Sequence, residues 1–227
     1  MNQANTISLS HWLNSDTPSY GNQGGFTRNL ISSIKEGRTA NSESWSFNNH
    51  IGTHIDFPKH FFEKGKTSSD FQNPFFIFNK VGFIELSPEP MPGSVIFTKD
   101  IEDQLEAMDP AIDVLLLKTN FEKHRGKDIY WNENLGFDPE LATLFRQRFK
   151  SLKAFGFDSI SLTSVKHREI GAKAHKNFLG EEQLILIIED MHLSKLSNTT
   201  NFKRLIVASF PVDNTDGAPV NCLLETL

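Results

Sequence analysis

His50-Ile51-Gly52-Thr53-His54-Ile55-Asp56-Phe57-Pro58-Lys59-His60 is the stretch on which the reading of this chain turns. His50, His54, Asp56 and His60 share one parity, and on an extended chain residues two apart point to the same face. Gly52 and Pro58 fill the intervening positions of that face. A helix would also align His50 with His54, but Ile51, Gly52, Thr53, Ile55 and Pro58 all disfavour one. The segment is therefore predicted to run extended and to project three imidazoles and one carboxylate into one cavity. Gly52, lacking a side chain, leaves room between the first two rings. Imidazole nitrogen with carboxylate oxygen is a natural donor set for zinc, and also for manganese or iron. Two His and one Asp leave a coordination position open for water, as a catalytic site requires.

Outward from this motif the chain reads as strand-rich. Residues 44–56 alternate and are predicted to form a strand that runs into the motif. Residues 14–27, rich in Asn, Ser, Asp, Pro and Gly, form a loop. Residues 80–86 read as a strand, followed by a Pro-rich turn over 87–93. Thr98 is placed to cap a helix beginning near Lys99. Residues 114–119 form a short apolar run that suits a buried strand. Asp138-Pro139 is a helix start, with Pro at the first helical position, and turns Leu141, Leu144, Phe145, Phe149 and Leu152 inward. Residues 159–165, 184–188, 205–212 and 220–226 are further strand candidates. The expected fold is one mixed α/β (α+β) domain over residues 1–227, with few helices and no internal repeat.

Of the 227 residues, 38% are hydrophobic and 22% charged, which suits a globular core, and the net charge of −5 gives no basic face for nucleic acid. No apolar run is long enough to cross a bilayer. The opening Met-Asn-Gln-Ala-Asn-Thr lacks a basic region followed by an apolar one, so the expected location is the cytoplasm. The single cysteine, Cys222, excludes an intrachain disulfide and reads as a buried small hydrophobe. Twenty phenylalanines stand beside two tyrosines. Phe57, Phe61, Phe62, Phe71, Phe75, Phe76, Phe78 and Phe83 cluster around the motif, as core or as an apolar pocket or subunit interface. His175, before the strand at 184–188, and Glu189, at its end, are candidates for a second metal site. His11, His124, His167 and His192 read as surface or hydrogen-bonding histidines.

The run His-x-Gly-Thr-His-x-Asp-x-Pro-x-His resembles the signature of the cyclase-like metal-dependent hydrolases, the family that includes bacterial kynurenine formamidase and isatin hydrolase. Supporting matches follow in order. They are Ile7-Ser8-Leu9-Ser10, Ser15-Asp16-Thr17-Pro18, residues 114–119, Gly156-Phe157-Asp158-Ser159, residues 174–180, residues 187–193 and Gly217-Ala218-Pro219-Val220. The resemblance implies a swivelling β/β/α domain that assembles as a homodimer or homotetramer. It implies a divalent metal, one or two ions per chain, with zinc foremost and manganese as the alternative. His50, His54 and Asp56 would bind the first ion. Asp56, His175 and Glu189 would bind the second. His60 would be the general acid/base.

The chain also departs from that family. The N-terminal loop of the formamidases reads approximately Trp-Pro-Gly-Asp-Thr-Pro, whereas here it is Leu13-Asn14-Ser15-Asp16-Thr17-Pro18. Leu13 replaces the tryptophan, with Trp12 adjacent; Trp12, Leu13 and Phe61 are the candidate substrate contacts. Thr119-Asn120-Phe121 stands for the usual Thr-Gly-aromatic. The expected reaction is hydrolysis of a small amide, formamide or lactam by metal-activated hydroxide. The alternatives are kynurenine formamidase activity, a metal-dependent cyclase, dehydratase or lactonase, and a non-enzymatic metal- or ligand-binding protein.

Overall fold

A computed structural model describes residues 5–180 and 183–227. In chain order the strands are β1 (Thr6–Ser8), β2 (Thr27–Ser32), β3 (Ser42–Ser46), β4 (His54–Asp56), β5 (Ile77–Phe78), β6 (Val81–Glu85), β7 (Val95–Ile96), β8 (Val114–Lys118), β9 (Gly136–Phe137), β10 (Ala154–Phe157), β11 (Leu186–Glu189), β12 (Phe202–Ser209) and β13 (Gly217–Thr226). The helices are α1 (Glu102–Glu106), α2 (Asp128–Asn132), α3 (Glu140–Arg148) and α4 (Arg168–Gly180). The mixed, strand-rich α/β architecture with few helices is the one expected from the sequence. No helix among the described residues is long and apolar enough to cross a membrane.

A nine-stranded sheet organises the chain in the order β5-β12-β13-β4-β11-β10-β8-β6, with β1 on β13. The stretch β11-β10-β8-β6 is parallel. Such strands are covered on both faces and tolerate continuous apolar sequence, and the side chains of Val114, Leu115, Leu116 and Leu117 are all fully buried. The short strand β4 sits between β11 and β13, antiparallel to both. Glu189 lies opposite His54 in that register. Directly opposed residues leave the sheet on the same face, and Asp56, two positions along β4, shares it. Three ionisable side chains thus converge because of pairing between distant segments.

The phenylalanines after the motif mostly build core: Phe57, Phe76 and Phe78 are buried, and Phe71 and Phe75 pack against that core. Cys222 is buried, and burial pushes its thiol up to about 12. Three local expectations are corrected. The predicted strand over 44–56 is two pieces, β3 and β4, separated by a bend at Gly52, whose φ is +60°. The strand predicted at 159–165 is instead β10, a few residues earlier, and 159–165 is loop. Thr98 does not cap; a single 3-10 turn starts there, and the Phe97 N–H donates to Asp100. Helix α4 has no counterpart among the elements expected from the sequence.

Candidate metal centre

His54 and His175 reach the site by the same device. His54 Nδ1 lies 2.8 Å from the Gly52 carbonyl and His175 Nδ1 lies 2.9 Å from the Gly171 carbonyl one helical turn back. Each backbone carbonyl accepts from Nδ1–H, which fixes the ring and turns Nε2 inward. His54 Nε2 is 3.5 Å from Asp56 Oδ1 and 3.3 Å from Glu189 Oε2. His175 Nε2 is 3.6 Å from Asp56 Oδ2 and 3.4 Å from Glu189 Oε1. Ligands bound at about 2.1 Å around a tetrahedral ion stand roughly 3.4 Å from one another. Glu189 is held by the Leu162 N–H, which donates to Oε1 at 2.6 Å. Asp56 Oδ2 is buried and has no hydrogen-bond partner. An orphaned carboxylate oxygen is costly unless something cationic meets it, and the Asp56 carboxylate stands between the two imidazoles, Oδ1 toward His54 and Oδ2 toward His175. The donor set fits a divalent ion.

The electrostatics agree. Burial pushes His54 down, but the Glu189 carboxylate beside Nε2 and the charge of Asp56 outweigh it and raise the imidazole to about 9. Burial also pushes His175 down, and the nearby carboxylates of Asp56 and Glu189 raise it to about 10. Burial pushes Asp56 upward, yet the surrounding imidazoles hold it well below the ordinary carboxylate range. The field at the centre is strongly negative and calls for positive charge.

His50 and His60 form a more open flank. His50 Nδ1 is 2.8 Å from Asp56 Oδ1, and its Nε2 is 3.1 Å from Asp216 Oδ2. His60 Nδ1 is 3.2 Å from the same Asp216 oxygen, and its ring centroid is 4.0 Å from that of His50. His60 sits at the end of a 3-10 turn, Pro58–His60, rather than on a strand. Burial lowers its imidazole, and the pull of Asp56 only partly opposes this. Donor atoms suited to one ion occur in two groups that share Asp56: His54, Asp56 and Glu189, and His50, Asp56 and His60. The structure therefore brings His50, His54, Asp56, His60, His175 and Glu189 together.

The space His50 occupies depends on Gly217, where a Cβ would stand 2.3 Å from the His50 ring. Gly52 plays a different part from the one expected: it makes room for Leu13, not for the rings. The sequence reading missed Asp216. The available signal was an acidic residue directly before Gly217, itself in the last supporting match.

A cavity of about 490 Å³ opens on these residues and is lined also by Phe61, Tyr20, Ile160 and Arg168. Phe61 stacks on His175 with ring centroids 4.4 Å apart. Trp12 and Leu13 line another cavity, with Phe26, Trp45 and Phe47, and Trp12 is 91% exposed. Asn120 has φ +62°, the left-handed conformation that the usual glycine would favour and that asparagine tolerates.

The family model described as "Putative cyclase" matches residues 7–164. The chain belongs to that cyclase family. A protein of Methanocaldococcus jannaschii, itself described as uncharacterised, is 28% identical over 181 residues, 77% of each chain. An isatin hydrolase bound to the product analogue thioisatinate superposes with a TM-score of 0.82 at 17% identity, over 98% of this chain and 92% of that one. A structure named a potential metal-dependent hydrolase with cyclase activity gives 0.75 at 19% identity over 99% of both. At these identities the structural likeness concerns the fold. Among cyclase-family chains, then, this one carries its ligand-type residues on β4, β11 and α4.

Proposed function

We propose that this cyclase-family protein is a divalent-metal-dependent hydrolase of a small amide, formamide or lactam, with His60 as general acid/base. The observation that carries the reading is the buried, unpartnered Oδ2 of Asp56, on a carboxylate set between two imidazoles whose Nδ1 atoms are anchored to carbonyls. His54, Asp56, His175 and Glu189 would hold the ion, with His50 completing the shell toward the cavity. Zinc is the expected metal and manganese the alternative. Such an ion lowers the pKa of water from 15.7 toward about 7 and polarises a carbonyl.

His60, held below the ordinary imidazole range, is neutral at physiological pH and can take a proton from water. Asp216 orients its ring and supports the imidazolium while the proton waits for the leaving nitrogen. Phe61 and Ile160 give the cavity an apolar wall, which suits a substrate with one hydrophobic portion. The structural neighbours named isatin hydrolase support a cyclic amide as one class to test. Trp12 and Leu13 contribute no wall to this cavity, so N-formylkynurenine is not the expected substrate. Exposed Leu30, Ile31, Ile34 and Trp45 support self-association, which light scattering on the purified protein would check; a monomer at micromolar concentration would remove that part.

The test of the activity is kcat/KM across simple formamides, lactams including isatin, and N-formylkynurenine, with metal content measured in parallel. Hydrolysis of an amide or lactam that disappears on chelation and returns with zinc or manganese is the expected result. Fully metal-loaded protein that turns over none of them would sink the proposal. A value of about 10⁴ M⁻¹s⁻¹ or more on N-formylkynurenine would move the assignment to kynurenine formamidase.

A further inference from the structure

Two histidines that the sequence left without a role meet on the far side of the motif loop. His11 follows β1, His192 follows β11, and Glu122 lies in the 3-10 turn Phe121–His124 after β8. The ring centroids of His11 and His192 are 4.8 Å apart. One donor atom from each of the three residues falls within 4.8 Å of the others. His192 Nδ1 is hydrogen-bonded to Glu122 Oε1, and His11 Nε2 stands 3.7 Å from that same oxygen. That separation is too long for a hydrogen bond and close to the roughly 3.4 Å between two ligands of one tetrahedral ion. His11 Nε2 is buried and has no hydrogen-bond partner. The other Glu122 oxygen accepts from the Ser194 N–H at 2.8 Å, which aims the carboxylate at the two rings.

We infer that His11, Glu122 and His192 form a further divalent-cation site that takes zinc and ties the N-terminal segment to the sheet. Two imidazoles and one carboxylate are a recurrent zinc donor set, with a fourth position for water. The neighbouring Arg125 does not repel the ion, because its guanidinium is paired with Asp190 at 2.9 Å, while Glu122 supplies the local negative charge. Zinc at His192 Nδ1 would replace the hydrogen bond to Glu122, with the neutral ring carrying its proton on Nε2.

The consequence reaches the principal site through the backbone. The His11 N–H donates to Thr53 Oγ1 at 3.0 Å, and Thr53 Oγ1 donates to the Asp190 carbonyl at 2.6 Å. Two residues on, Leu13 packs against Gly52, whose carbonyl anchors His54. An ion at His11 pins the segment that braces the motif loop from behind. These residues are positioning residues and touch neither substrate nor the principal ligands.

The test reads ions bound, not turnover, so it stands apart from the proposed activity. Metal-free protein is titrated with zinc against a chromogenic chelator, and separately with cobalt, whose visible absorption reports each site. Glu122→Gln keeps an acceptor for Ser194 and the shape of the side chain. His192→Ala removes a part-exposed ring, with folding verified by circular dichroism. Each variant is expected to bind one zinc fewer per chain than the parent, or to hold that ion at least tenfold more weakly, and to lose the matching share of the cobalt spectrum. Zinc stoichiometry, affinities and cobalt spectrum all unchanged in folded Glu122→Gln and His192→Ala would overturn the assignment.

Discussion

The centre of the site and its flank are built on opposite plans. At the centre, His54, Asp56, His175 and Glu189 are all buried, and both imidazoles are fixed by carbonyls of their own segments. On the flank, His50, His60 and Asp216 are part-exposed, and each ring is held by a carboxylate. A carbonyl anchor fixes a neutral tautomer; a carboxylate partner also stabilises the imidazolium. The first plan suits holding a cation in one place, and the second suits moving protons beside it.

Asp56→Ala should have the largest effect, because Asp56 is the one residue shared by both groups of donors. Loss of bound metal and of all measurable hydrolysis is expected. Stoichiometric metal retained in the folded variant would dissolve the distinction between centre and flank. His175→Ala and Glu189→Gln come next. Each leaves Asp56 in place but strips one arm of the centre, so metal affinity should fall by roughly 100-fold or more, above the effect of losing an outer partner. Removing one member of a buried charged set also costs roughly 3–5 kcal/mol of stability, so titrations belong with a measured Tm. Affinity equal to the parent's in both variants would limit the ion to the His50 side.

His60→Ala tests the flank. Metal content should stay near that of the parent while kcat falls by roughly 10²–10⁴-fold, the range of general acid/base groups. A metal-free variant would instead make His60 a ligand. The smallest effect belongs to Asp216→Asn. The hydrogen bond to Asp216 raises His60, so removing that charge leaves the imidazole lower still. A base that acts in its neutral form then survives to lower pH. The acidic limb of kcat/KM should move down while the maximum drops by roughly tenfold, the low end for an orienting partner. An acidic limb that stays where it was would detach Asp216 from His60.

The residues at the centre were legible because ligand chemistry is written in residue type, and the fold class because alternation and apolar runs are local. The path between them was not. Equal parity brought His50, His54, Asp56 and His60 together on paper. Only His54 and Asp56 share a strand face, while His50 and His60 arrive through the bend at Gly52 and the turn at Pro58. Helix α4 escaped notice because its inward face is Gly171, Ala174, His175, Phe178 and Leu179, small or polar at three of five positions. A search for hydrophobic period registers such a face weakly. Residues 159–165 alternate like a strand, yet their backbone is spent on Glu189 through the Leu162 N–H. The contacts of Asp216 with His50 and His60, and of His11 with His192, join segments far apart in the chain, so their meeting is not written in any local pattern.

The hydrogen bond from Thr53 to the Asp190 carbonyl joins residues 137 positions apart, and β4 is flanked on both sides by strands that follow it late in the sequence. During synthesis, then, the first half of the ligand set leaves the ribosome long before the second exists. Loop closure over such distances is slow, so a tight ion site can form only once the last quarter of the chain has docked. Metal capture thereby becomes a clock for completion. In a refolding experiment, zinc uptake should follow the slowest phase of structure formation and never precede it; uptake during an early phase would show that the His50–His60 segment binds before the sheet closes around it.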